Sequence, residues 1–336
     1  MPYYRNIDRQ RKTLSDWPHV VATVLVCLLC WAMGYVYSSG FPLAPDDAIL
    51  PIWKSFCNWL DNRTVVYTQG MFFIALTAFI IQRINDIEML IRERTRLVFM
   101  LFFLLSSTNI GIIPFSNITI VLLCLVLVIY ELFKTFQLPE AKGKLFNIGV
   151  YIGVAGLFMP QTLWFILLAW IGMYQLQSLN YRSFMASLFG VLTVFWLMLT
   201  WCVWKHDYSM FTMLFSSLTD FQLFSIFRSF RYTHIGFAFI VILTVPVFIN
   251  IKMNVINNRL RVRQMLSFLL NMSAWTFVLI CIYDGSVDAF LSILYIPLAV
   301  LMAYFFENLR KPFHFLLYYF LLVISVVSFI FRIWNY

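Results

Sequence analysis

Residues 66–113 read VYTQGMFFIALTAFIIQ (66–82), RINDIEMLIRERTR (83–96) and LVFMLFFLLSSTNIGII (97–113). Two long apolar runs flank a short segment that holds Arg83, Arg92, Arg94 and Arg96. A helix that crosses a bilayer needs ~20 mostly apolar residues, and Lys and Arg stay on the cytoplasmic side of an inserting chain. The stretch therefore predicts a membrane hairpin whose turn lies inside.

Outward from this hairpin the same pattern repeats in both directions. From about Val20 onward the chain reads as roughly eleven apolar segments, and its basic residues gather in every second gap. Arg5, Arg9, Arg11 and Lys12 precede the first segment. Lys134, Lys142 and Lys144, then Arg182, then Lys252, Arg259, Arg261 and Arg263, and finally Arg310 and Lys311 occupy the equivalent gaps further on. Only Lys54, Arg63, Lys205, Arg228, Arg231 and Arg332 fall in the alternate gaps. This asymmetry sets an orientation with the N-terminus inside and, for an odd number of segments, the C-terminus outside. The expected fold class is all-α, a polytopic transmembrane helix bundle of about eleven spans.

Composition points the same way. The 336 residues are 62% hydrophobic and only 12% charged, with mean hydropathy +0.83. That is too little polar surface for a soluble globule of this size. The net charge of +9 collects on the inner side, so it reports topology and attraction to anionic headgroups, not nucleic-acid binding.

The expected layout is a cytoplasmic segment 1–18 followed by one helical domain over 19–333. The spans are placed at about 19–39, 66–83, 97–113, 117–136, 145–160, 162–178, 184–204, 234–251, 265–283, 288–306 and 313–333. Long outer loops cover 40–65 and 205–233. The first apolar run ends in Tyr35-Val36-Tyr37-Ser38-Ser39, bulky where a cleavage site needs small residues, so it reads as an anchor. Cys27, Cys30 and Cys124 lie within apolar segments and read as packing thiols. Cys57 sits in an outer loop, and Cys202 and Cys281 near outer helix ends make one bridge conceivable.

No Asp, Glu, Lys, Arg or His falls near the midpoint of an expected span, which counts against ion-coupled transport. Glu131, one turn before Lys134, and Glu307, beside Arg310, read as interface anchors. The milder polarity of Thr77, Asn271, Ser273 and the run Ser106-Ser107-Thr108-Asn109 reads as bonding between helices or back to the chain.

Polar chemistry gathers instead at the outer face. Asp46 and Asp47 follow the first span and precede Ile49–Trp59, where Ile52, Trp53, Phe56 and Trp59 recur at helical spacing. A short helix lying on the membrane surface fits that stretch. The two carboxylates have three readings: caps for this helix, ligands for a divalent ion, or a catalytic base. In the second loop, Arg228 and Arg231 are spaced to face one way on a helix. They read either as headgroup-snorkelling anchors or as a bidentate phosphate grip. His206 and His234 are the imidazoles available beside them. Four histidines never in close paired spacing make no metal motif, and no cofactor is expected.

An acidic residue after the first span, a surface helix behind it and a later outer loop together resemble the GT-C class of glycosyltransferases in topology. That resemblance implies an acidic catalytic role for Asp46 and Asp47. It also implies a polyprenyl-phosphate-linked sugar as ligand, with Arg228 and Arg231 at its phosphate. Separately, Phe146-Asn147-Ile148-Gly149 through Pro160, Trp164, Trp170 and Asn180-Tyr181-Arg182 to Gly190 resembles an uncharacterised family of polytopic proteins from Bacteroidota. Arg83-x-Asn85, Arg96 and Ser106-Ser107 belong to the same resemblance. It implies a bacterial inner-membrane address and no defined activity. The expectations are an enzyme-like protein acting on lipid-linked glycan, a non-catalytic scaffold or partner-binding subunit in envelope biogenesis, and, third, a lipid or small-molecule transporter.

Overall fold

The computed structural model describes residues 17–37, 62–91, 95–138, 141–206, 208–219, 244–253, 259–283, 286–308 and 313–334. All regular structure among the described residues is helical. In chain order the helices are α1 (Trp17–Tyr37), α2 (Arg63–Glu88), α3 (Leu97–Ser107), α4 (Asn117–Phe133), α5 (Lys142–Phe158) and α6 (Phe165–Gln175). They continue with α7 (Tyr181–Lys205), α8 (Ser209–Thr219), α9 (Thr244–Met253), α10 (Leu260–Ile282), α11 (Val287–Asn308) and α12 (Phe313–Trp334). Short 3-10 turns at Ile110–Ile112 and Pro160–Trp164 prolong α3 and precede α6.

Each expected apolar segment coincides with a described helix, the eighth only over its second half. Parts of α1, α2, α7, α10 and α11 are long and apolar enough to cross a membrane: His19–Tyr37, Arg63–Glu88, Tyr181–Lys205, Leu260–Ile282 and Val287–Asn308. The chain is built as a multi-pass membrane protein. Within the expected outer loop 205–233, Ser209–Thr219 forms the additional helix α8.

Contacts between helices fix their relative directions. Trp31 stacks on Phe103 and donates to Ser107 Oγ at 3.1 Å, while Gly34 lies against Ile113, so α1 and α3 run parallel. Gln82 Oε1 accepts from Phe99 N at 3.2 Å and Gly70 meets Ile113 and Phe115, so α2 and α3 are antiparallel. His19 meets Tyr319, Thr23 meets Tyr318, and Gly34 meets Phe329, which makes α1 and α12 parallel. These pairings sort the helix ends into two sets. Arg83, Arg96, Lys134, Lys142, Lys144, Arg182, Arg259, Arg261 and Arg263 fall at one end, hereafter the basic end. Arg63 and Lys205 lie at the opposite, basic-poor end.

The centre of the bundle is α11, in which every residue from Ala289 to Phe306 is buried. A helix apolar on all sides belongs in an interior, surrounded by others, and α3, α4 and α10 pack against it. At the periphery α7 exposes Phe189, Leu192, Trp196, Leu197 and Trp204, a face suited to lipid. The closest seam joins α5 to α7. A Cβ on Gly149 would stand 2.0 Å from Ser187 O, and one on Gly190 would stand 2.2 Å from Phe146 O. Gly153 meets Val194 one turn further along both helices, so the pair is parallel. Small residues let backbones approach where lipid supplies no hydrophobic drive.

Candidate functional site

At the basic-poor end, α7 closes on His206, whose left-handed backbone (φ 52°) points its N–H at Cys202 O and Val203 O. The imidazole is exposed. The chain then folds back as α8, which buries Leu214 against Met198 and Cys202, with Leu157 and Phe195 alongside. Its other face leaves Met213 and Phe215 open. The Tyr283 hydroxyl ties three elements together there. It accepts from Trp164 Nε1 at 2.8 Å and donates to Leu218 O at 2.7 Å. Gln161 Nε2 reaches Ser217 O at 3.4 Å. Beneath this layer Asn109 Nδ2 donates to Asp288 O and Ser292 Oγ, both at 3.0 Å, and fastens the end of α3 to the start of α11.

Of the sequence-predicted residues, His206 lies at this end, while Asp46, Asp47, Arg228, Arg231 and His234 lie outside the described residues, as does Ile49–Trp59. The described flanks of the first loop meet here: Arg63 Nη2 donates to Tyr35 O, and its guanidinium lies 4.7 Å from the Tyr35 ring centre. Tyr35 and Tyr67 pack edge to face at 5.2 Å. The second segment departs from the same end, because Ser217 and Leu218 are bonded there.

The basic end holds a cluster that the sequence reading missed. Glu88 closes α2 with its side chain only 5% exposed, and Arg261 Nη2 approaches it to 2.5 Å. Lys134 and Lys144 act on the same carboxylate. Lys144 Nζ donates to Lys134 O at 3.1 Å, and the Lys134 ammonium lies 3.6 Å from the Tyr130 ring centre. Arg261 also lies 5.6 Å from the Phe136 ring. Lys134 takes the aromatic face of Tyr130 and makes no ion pair with Glu131, one turn before it. Three cations round one carboxylate come from α4, the start of α5 and the start of α10, a juxtaposition that no local spacing announces.

Inside the bundle the hydroxyls turn back on their own helices. Thr77 donates to Phe73 O at 2.7 Å, Ser273 to Leu270 O at 2.7 Å, Thr108 to Leu105 O at 2.7 Å, and Ser106 to Phe102 O. Among the described residues no disulfide forms, and Cys202 and Cys281 are not bridged to each other. Among the described residues no group of three or more His, Cys, Asp or Glu is placed to hold a metal ion. No protein-family model, curated protein or solved structure matches the chain.

Proposed function

We propose that this is a bacterial inner-membrane protein of about eleven spans, N-terminus inside and C-terminus outside, that acts at its outer face on polyprenyl-phosphate-linked glycan in the manner of GT-C enzymes. The observation that carries the reading is that both loops bearing the proposed groups leave from the basic-poor end, beside α8 and His206. Parallel α1 and α12 support an odd span count, because two spans that start on the same side enclose an odd number of crossings. The clustering of cations at the opposite end supports the orientation.

In this reading Asp46 or Asp47 removes the proton of an acceptor hydroxyl as its oxygen bonds to the sugar's anomeric carbon. The bond from that carbon to the phosphate oxygen breaks, and the polyprenyl phosphate leaves with the electron pair. Arg228 and Arg231, with His206 and His234, neutralise the phosphate as charge builds on it. The amphipathic surface of the outer end presents the lipid tail. Such chemistry needs no charge at mid-depth, which agrees with the backbone-bonded hydroxyls of the interior.

A scaffold would be favoured by an exposed groove of small residues. Gly149, Gly153 and Gly190 are instead spent on the internal α5–α7 seam. The test is complementation of a chromosomal deletion with Asp46→Asn, Asp47→Asn and Arg228→Ala at matched membrane levels, with envelope glycans profiled by mass spectrometry. The expected result is a lost or truncated glycan for each variant. Full rescue by all three sinks the glycan reading and leaves the scaffold.

A further inference from the structure

Among the described residues of the basic end, Lys134, Lys144 and Arg261 gather round Glu88. Lys134 ends α4 at the C-terminal side, Lys144 lies in the first turn of α5, and Arg261 lies in the first turn of α10. The bond from Lys144 Nζ to Lys134 O holds the two lysines of adjacent helices side by side, while Glu88 is engaged by Arg261. Glu131, half-buried one turn before Lys134 on α4, makes no ion pair with any of the three. Like charges held together at a membrane boundary repel unless an anion lies between them.

The surroundings describe that anion. The cations stand beside Tyr130 and Phe136, aromatic rings of the kind found at headgroup level. The Arg261 side chain is 49% exposed, so N–H groups remain for a ligand after Glu88 has taken one edge. Cations for phosphate, set beside aromatic rings at a boundary of helix ends, describe an anionic phospholipid headgroup.

We infer that Lys134, Lys144 and Arg261 form a binding site for an anionic phospholipid headgroup at the basic end, best matched by diphosphatidylglycerol. Its two phosphodiesters can engage the three cations together. Basic clusters between helix ends on the cytoplasmic side suit such headgroups. The inference rests on the membrane-spanning part of the proposed function and is independent of the glycan chemistry.

The experiment is native mass spectrometry of the detergent-purified full chain, titrated separately with diphosphatidylglycerol, phosphatidylglycerol, phosphatidylethanolamine and inorganic phosphate. Diphosphatidylglycerol is expected to bind most tightly. The double variant Lys134→Gln/Lys144→Gln is expected to weaken it about tenfold or more. Lys134→Arg/Lys144→Arg retains binding and shows that the fold survives, and Lys205→Gln at the other end changes nothing. Arg261 is left intact because its loss would strand Glu88. Equal affinity for phosphatidylethanolamine, no change in the double glutamine variant, or displacement by inorganic phosphate would each overturn the site. None of these outcomes depends on Asp46 or Arg228, so a failed glycan test leaves this result readable.

Discussion

Gly149 and Gly190 set how closely α5 and α7 approach, and they do so through absence of a side chain. A methyl on Gly149 points at the Ser187 carbonyl, which is backbone and has nowhere to go. Gly149→Ala is expected to cost about 2–3 kcal/mol and to lower the melting temperature of the purified protein by several degrees. Gly143, in the first turn of the same helix, meets nothing within 4 Å. There alanine is expected to be neutral or to stabilise by about 0.5–1 kcal/mol, since glycine in a helix sacrifices chain entropy. A melting series of the two variants that failed to separate would mean that the seam does not hold the helices together. The partnership of Gly149 with Gly190 was not legible in the sequence. One-dimensional spacing does not say which glycines meet. Of the candidate site residues His206 lies among the described ones, and its left-handed backbone ends α7 whatever its imidazole does.

At the scale of elements, α8 is the addition that the apolar pattern did not announce. Phe211, Leu214, Phe215 and Leu218 recur at helical spacing, yet eleven residues are too few to span and the stretch reads as loop. Isolated helices of that length are marginal in water, so most of their stability comes from docking. Here the dock is the Pro160–Trp164 turn and the Tyr283 hydroxyl. Tyr283→Phe strips the partner from both Trp164 Nε1 and Leu218 O, at an expected cost of about 1–3 kcal/mol. Backbone amides of 209–219 should then exchange with deuterium faster, while those of buried α11 stay protected. Unchanged exchange in α8 would show that Leu214 alone holds it. The apolar segments were legible because each is a nearly continuous hydrophobic run bounded by polar or charged residues. The short α6 is completed by the 3-10 turn before it, together about 26 Å of rise and close to a bilayer core.

For the whole molecule the proposed orientation makes a direct prediction. In a background without native cysteines, Tyr208→Cys, exposed after α7 at the basic-poor end, should react with an impermeant maleimide added to intact spheroplasts. Arg259→Cys, exposed at the basic end, should react only after permeabilisation. The reverse pattern would invert the topology, and equal labelling of both would remove it. Hydropathy and charge are local properties, written into consecutive residues, and membrane insertion acts on them segment by segment. The sequence alone therefore determined the helical class, the approximate positions of the apolar segments and the gathering of basic residues in alternate gaps. The α5–α7 glycine seam, the Tyr283 tie to α8 and the Glu88–Arg261 cluster were decided only in the tertiary structure. Trp164 and Tyr283 lie 119 residues apart. Contacts of that kind depend on which helix faces meet once lateral packing has sorted the bundle, information that no single segment carries.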